Sequence, residues 1–76
     1  MILHLGGIFA FYIPGHPPWV EVDLIAPTRL VDVLDQLGIP NAEIGLTVIN
    51  GEMADLHTAV VSPGDVVRLI PPADGG

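Results

Sequence analysis

The sequence predicts an α+β domain: a mixed sheet of four to five strands with one main helix packed across it. Three observations predict it. Apolar residues alternate with period two over residues 19–24, where Val20, Val22 and Leu24 share one face and Trp19, Glu21 and Asp23 the other. They recur with helical spacing at Leu30, Leu34 and Leu37. Two strong turn signals, Asn50-Gly51 and Ser62-Pro63-Gly64-Asp65, then cut the C-terminal half into short strands.

Taken in order, residues 1–5 read as a strand, with Ile2 and His4 on one face and Leu3 and Leu5 on the other. The Gly6-Gly7 pair weakens the strand and suggests a bend or a close backbone approach. A phosphate loop is disfavoured there, because no GxGxxG or P-loop spacing follows and the chain contains no lysine. Residues 8–13 are ambiguous: their β-branched and aromatic content favours a strand, and the run is short enough for helical turns. The Pro14-Gly15-His16-Pro17-Pro18 segment is a turn, since proline fixes φ and glycine supplies positive φ. Residues 19–24 form the second strand, antiparallel to the first.

Pro27 and Thr28 open the helix, with Thr28 expected to cap its free N–H groups. Leu30, Leu34 and Leu37 make its apolar stripe, flanked by Val33, while Asp32 and Asp35 fall on the solvated side. Gly38-Ile39-Pro40 predicts a left-handed cap with Ile39 folded back and Pro40 blocking continuation. Residues 44–49 are a strand, and Asn50-Gly51 supplies the two positive φ angles of a type I′ turn into a short return strand over residues 52–55. Residues 56–62 connect onward, with Val60 and Val61 anchoring them to the core. Val66–Ile70 is nearly continuous in apolar residues, as expected of a central strand buried on both sides or facing a partner. Two hairpins flanking one helix place the first and last strands side by side as a central parallel pair, a β-grasp.

Composition bounds the function. The 76 residues allow one domain, which buries only about 60% of its unfolded surface and sits near the lower size limit for independent folding. Without cysteine there is no disulfide framework or thiolate zinc site to help. The chain is half apolar and only 14% charged, so some apolar surface is expected to remain for a partner. Nine acidic residues against Arg29 and Arg68 give a net charge of −7, which argues against nucleic acid and against anionic membranes. That charge either steers the chain to a basic partner or keeps an apolar domain soluble. No apolar run is long enough to cross a bilayer and no signal peptide is visible, so a cytoplasmic protein is expected.

His4, His16 and His57 share no ligand spacing, and no metal site is expected of them. Ser62 stands alone in a Pro-Gly turn with no nucleophile-elbow pattern. The chain therefore offers no self-sufficient active site, and a carrier or binding role is expected instead of an enzyme.

Interest moves to the end of the chain. Pro71 and Pro72 cannot continue a central strand, so the folded domain is expected to span residues 1–72 and to deliver a flexible tail, Ala73-Asp74-Gly75-Gly76. From Pro71 to the terminus the reach is about 20 Å at roughly 3.3 Å per residue. Two glycines can thread a channel too narrow for any side chain and present an unhindered terminal carboxylate. Glycine near a chain end is also compatible with simple fraying.

In its order of elements, in Val48-Ile49-Asn50-Gly51, in Pro63-Gly64-Asp65-x-Val67 and in the Pro71-Pro72-Ala73-Asp74-Gly75-Gly76 end, the chain resembles the ThiS/MoaD sulfur carriers of the ubiquitin-like β-grasp superfamily. The Leu37-Gly38-Ile39-Pro40 helix exit is similar too, and the Pro-Pro joint looks more like the MoaD branch, which serves molybdopterin synthesis, than like the thiamine branch. Asp74 departs from that branch, whose tails usually carry a small neutral residue there, and residues 6–15 lack the basic residues often found after the first strand.

The resemblance implies a chemistry. An E1-like adenylating enzyme uses ATP to activate the Gly76 carboxylate, with Gly75 giving access; sulfur displaces AMP to leave a thiocarboxylate, and a sulfur-accepting synthase subunit takes the sulfur. No cofactor is expected to be bound by the chain itself. The destination is molybdopterin or tungsten-pterin synthesis, with the thiamine branch, a ubiquitin-like modifier joined through Gly76, and a passive interaction domain as alternatives. The activating enzyme is expected to dock around Leu69, Pro71, Pro72, Ala73 and Asp74, where the last strand leads into the tail.

Overall fold

The computed structural model describes residues 1–72. Five strands form one mixed sheet: β1 (Ile2–Leu5), β2 (Trp19–Glu21), β4 (Leu46–Ile49), β5 (Glu52–Ala54) and β7 (Val66–Ile70), in the spatial order β2-β1-β7-β4-β5. The first and last strands are the parallel pair, with Leu3 opposite Val67 and Leu5 opposite Leu69, and every other pairing in this sheet is antiparallel. The α-helix α1 (Leu30–Leu37) lies on one face, giving the ubiquitin-like β-grasp. Two further short strands, β3 (Thr28–Arg29) and β6 (Val60–Val61), pair with each other alone.

The core lies between the inner face of the sheet and α1. Leu3, Leu5, Val67 and Leu69 meet Leu30, Val33 and Leu34, with Phe9, Ile39 and Val61 completing the cluster. An eight-residue helix is too short to persist in water, so packing of this face holds it. The stripe differs slightly from the leucine spacing: Val31 and Val33 are buried, whereas Leu37, at the last turn, is only half-buried.

Gly38 ends the helix at φ 77°, and the N–H of Ile39 donates to Leu34 C=O at 3.0 Å, the expected left-handed cap with Ile39 buried. At the other end Thr28 does not cap. It sits in the β3 ladder opposite Val61, its hydroxyl donates to Ala26 C=O, and the N–H of Leu30 is instead satisfied by the backbone carbonyl of Ala59 at 3.0 Å. A neighbouring strand has replaced a side-chain cap.

Residues 8–13, ambiguous in sequence, contribute to a 3-10 helix over Gly7–Tyr12. Gly7, at φ 58°, turns the chain straight after β1, so a continuing strand is impossible; Phe9 enters the core while Ile8, Phe11 and Tyr12 stay at the surface. The second strand stops at Glu21, short of the expected Leu24, although paired bonds between Met1 and Val22 carry its ladder one residue further. Its predicted alternation holds: Val20, Val22 and Leu24 face partly inward, and Trp19, Glu21 and Asp23 outward. Asn50 and Gly51 take φ angles of 52° and 85°, as the type I′ turn requires. Of the Val60-Val61 pair only Val61 is buried, because the two side chains of a strand point to opposite faces.

Of the two expectations for the last strand, burial on both sides fails. It is central but not buried on both faces: Val67 and Leu69 point into the core, and Val66 and Arg68 are exposed on the far side, which no helix covers among the described residues. That leaves one open sheet face.

Candidate functional site

The site is the place where β7 leaves the sheet, and three glycines shape it. The carbonyl of Ile70 accepts from the N–H of Gly45 at 2.9 Å, the last rung between β7 and the segment entering β4. Immediately beyond, the backbone of Pro71 and Pro72 passes directly over Gly45. A Cβ there would lie 2.4 Å from Pro72 Cα and 2.9 Å from the Pro71 carbonyl carbon, and since these are backbone atoms no side chain can yield to admit it. On the other side Gly7 lies beneath the Pro71 ring, where an added Cβ would be 3.0 Å from Pro71 Cγ, and a Cβ added at Gly6 would be 3.2 Å from the Leu69 carbonyl oxygen. The exit is therefore a glycine-lined slot that fixes where the chain departs.

The close approach expected of Gly6-Gly7 is what the fold uses them for. Gly45 escaped sequence reasoning, because its neighbours Ile44 and Leu46 read simply as strand; a glycine inside an apolar run was the available signal.

An apolar groove of about 460 Å³ opens beside the slot, lined by Gly45, Leu46, Ile70, Pro71 and Pro72. Leu46 and Ile70 are register partners across β4 and β7, so they sit side by side at the rim. Leu69, expected to face a partner here, is instead fully buried at 0% exposure. Strand alternation sends it to the helix side together with Leu5 and Val67, and the surface role falls to its neighbour Ile70 and to Leu46. Pro71 is half-buried and Pro72 exposed, so the expected contact residues at the joint are accessible. Ala73, Asp74, Gly75 and Gly76 lie outside the described residues.

A second cavity, about 240 Å³, lies on the other side of Gly45 between β4 and the 55–57 segment. It is lined in part by Asn41 and Thr47, whose Oδ1 and Oγ1 atoms are buried with no hydrogen-bond partner, and Thr47 is the buried polar residue of the core.

The histidines are separated. His4 is on β1, His16 stacks on Phe11 with ring centroids 4.7 Å apart, and His57 takes part in a turn in which its N–H donates to Asp55 Oδ1. Among the described residues no three metal-ligating side chains come together, and no helix is long and apolar enough to cross a membrane.

What the described residues provide is a fixed exit for the chain at Pro71-Pro72, with an apolar groove beside it. The model of the ThiS family matches residues 8–76 of the chain. Among curated proteins and among solved structures nothing matches it.

Proposed function

The chain belongs to the ThiS family, whose members are small sulfur carriers and not enzymes, and from that premise we propose that its working group is the Gly76 carboxylate. That carboxylate attacks the α-phosphorus of ATP on an E1-like activating enzyme and releases pyrophosphate. A sulfide-level nucleophile, hydrosulfide or a persulfide whose acyl disulfide a second thiol then cleaves, attacks the acyl carbon and expels AMP, leaving a thiocarboxylate from which a synthase takes the sulfur. The chain supplies no catalytic side chain; it supplies an acyl group without a Cβ and a fixed point from which to extend it.

The observation that carries this reading is the slot at Gly45. The fold spends a backbone-to-backbone contact to direct the chain off the sheet at Pro71-Pro72, with four residues, the last two a diglycine, still to come. The Pro-Pro joint supports molybdopterin or tungsten-pterin synthesis as the destination through its resemblance to the MoaD branch; physically, the two prolines fix φ where the chain leaves the sheet. Docking is carried by the apolar groove of Leu46, Ile70, Pro71 and Pro72.

The test is mass spectrometry after incubation with the activating enzyme, ATP and a sulfur donor. A gain of about 16 Da, the substitution of sulfur for oxygen at the terminus where a side-chain-free acyl group is available, supports the reading. Recovery of Gly76 in isopeptide linkage to lysines of other proteins overturns it in favour of a modifier. Supplying the thiocarboxylate in turn to a molybdopterin synthase subunit and to a thiazole synthase identifies the branch.

A further inference from the structure

The open face of the sheet carries a pattern of its own. Register and burial place Ile2 and His4, Trp19, Val66, Arg68 and Ile70, Leu46 and Val48, and Met53 on this side. The face is largely apolar, with Trp19 49% and Met53 73% exposed. Near its centre, in one row across the strands, stand Trp19, His4, Arg68, Val48 and Met53. Arg68 is one of only two cationic side chains in a chain of net charge −7. Arg29, the other, pairs with Asp32 at 3.9 Å, whereas Arg68 has no ion pair among the described residues. Beside it His4, Leu5, Gly6 and Pro18 complete a notch of about 200 Å³.

We propose that this notch receives a carboxylate: Arg68, with His4 alongside, takes an Asp or Glu side chain that the activating enzyme presents from within an apolar surface. This rests on the carrier reading and names the chemistry of its partner. An unpaired guanidinium in the middle of an apolar face is tolerable only while water reaches it. Once a partner covers the face, the charge must be matched or the contact is penalised. A carboxylate matches it best, because the planar guanidinium donates two parallel N–H groups to two oxygens.

The arrangement also rejects wrong partners. An apolar surface without an acid would strand Arg68, and a basic one would meet it head on. A net charge of −7 favours approach to a partner of opposite charge, and Arg68 then demands the opposite sign at one point, which fixes orientation. Glu21, at the edge of the same face opposite Ile2, is the acidic side chain nearest this pattern in register.

The experiment measures binding of the chain to the activating enzyme without ATP by calorimetry, and adenylation by pyrophosphate release, for wild type, Arg68→Met, Arg68→Lys and Arg68→Glu. The Arg68 side chain is exposed, so circular dichroism should show each variant folded. The expected result is an affinity loss of about tenfold or more for Arg68→Met and a larger loss for Arg68→Glu. Maximal adenylation rate at saturating carrier should be unchanged, and Arg68→Glu should be rescued by an Asp/Glu→Arg exchange on the enzyme. Binding of Arg68→Met and Arg68→Glu within about twofold of wild type, a margin too small for a desolvated charge pair, overturns the proposal. Wild type that binds but releases no pyrophosphate sinks the carrier reading while the same affinities still decide the carboxylate site; wild type that does not bind at all overturns both.

Discussion

The Asn50 side chain donates from Nδ2 to Asp65 Oδ1 at 3.0 Å, joining two turns fifteen residues apart in sequence. The same amide accepts the N–H of Val66 on Oδ1, and the second oxygen of Asp65 accepts the N–H of Ser62 at 2.8 Å. Each turn thus holds the other at the start of β7, and the N–H of Ile2 donates to the Asp65 carbonyl to tie in β1. Replacing Asn50 and Asp65 by alanine, singly and together, should give a coupling energy of about 0.5–1.5 kcal/mol, the size of a partly exposed hydrogen bond. Urea denaturation of the four proteins measures it, and additive losses would show that the turns stand independently.

Acid should act on the same pair. The Ser62 N–H and then the Asn50 amide hold the Asp65 carboxyl below its usual range. The folded chain then binds fewer protons than the unfolded one between that lowered pKa and the ordinary value near 3.8, so stability falls as pH falls through this window. The contribution is complete above the unfolded pKa. The denaturation midpoint of wild type should drop more steeply below about pH 4 than that of Asp65→Asn, which cannot titrate there. Parallel pH curves would remove the carboxylate from the account.

Leu34 and Leu37 separate what periodicity alone could not. Leu34 is fully buried and Leu37 half-buried, so Leu34→Ala should cost about 2–5 kcal/mol and Leu37→Ala distinctly less. For a domain this small the first loss is comparable with total stability. Equal shifts in melting temperature would contradict the packing.

Much of this was legible in the sequence, and the misses share a cause. Asn50-Gly51 and Gly38-Ile39 were readable because each needs only its own backbone to define it. Thr28 was misread because a strand from residues 60–61 reached the helix start first, and residues 8–13 stayed ambiguous because the turn at Gly7 packs beneath Pro71, sixty-four positions later. At the site, the Pro-Pro joint was evident from local chemistry, whereas Leu69 was assigned to the surface because a run of five residues rich in apolar side chains hides its own alternation. Leu69→Asp, which would report docking were Leu69 exposed, should instead unfold the chain by placing a carboxylate in the core. A cooperative melting transition close to wild type would restore the surface assignment.

Gly45→Ala tests the exit slot. Its methyl would overlap the Pro72 backbone, so the joint must move. The expected outcome is a stability loss of roughly 1–3 kcal/mol, typical of overpacking, together with slower thiocarboxylate formation in the folded fraction. Normal turnover by the activating enzyme would show that the direction of departure does not matter.

Thr47→Val removes a buried hydroxyl that has no partner. Because the polar group costs desolvation without a compensating bond, the change should leave stability unchanged or raise it by up to about 1 kcal/mol. A loss larger than that, measured by thermal melting, would reveal a water in the adjoining cavity bonded to Oγ1.

The parallel pairing of β1 with β7 has a bearing on the order of folding. The middle of the sheet is filled by the last of the described strands in sequence, so β1 and β4 have no common neighbour until β7 is in place. Contacts this distant in sequence make the closing step slow, with only the β1–β2 and β4–β5 pairs of this sheet free to form beforehand. A chain whose last described strand has not docked therefore lacks the Gly45 slot, and a partner that recognises the slot recognises a finished sheet.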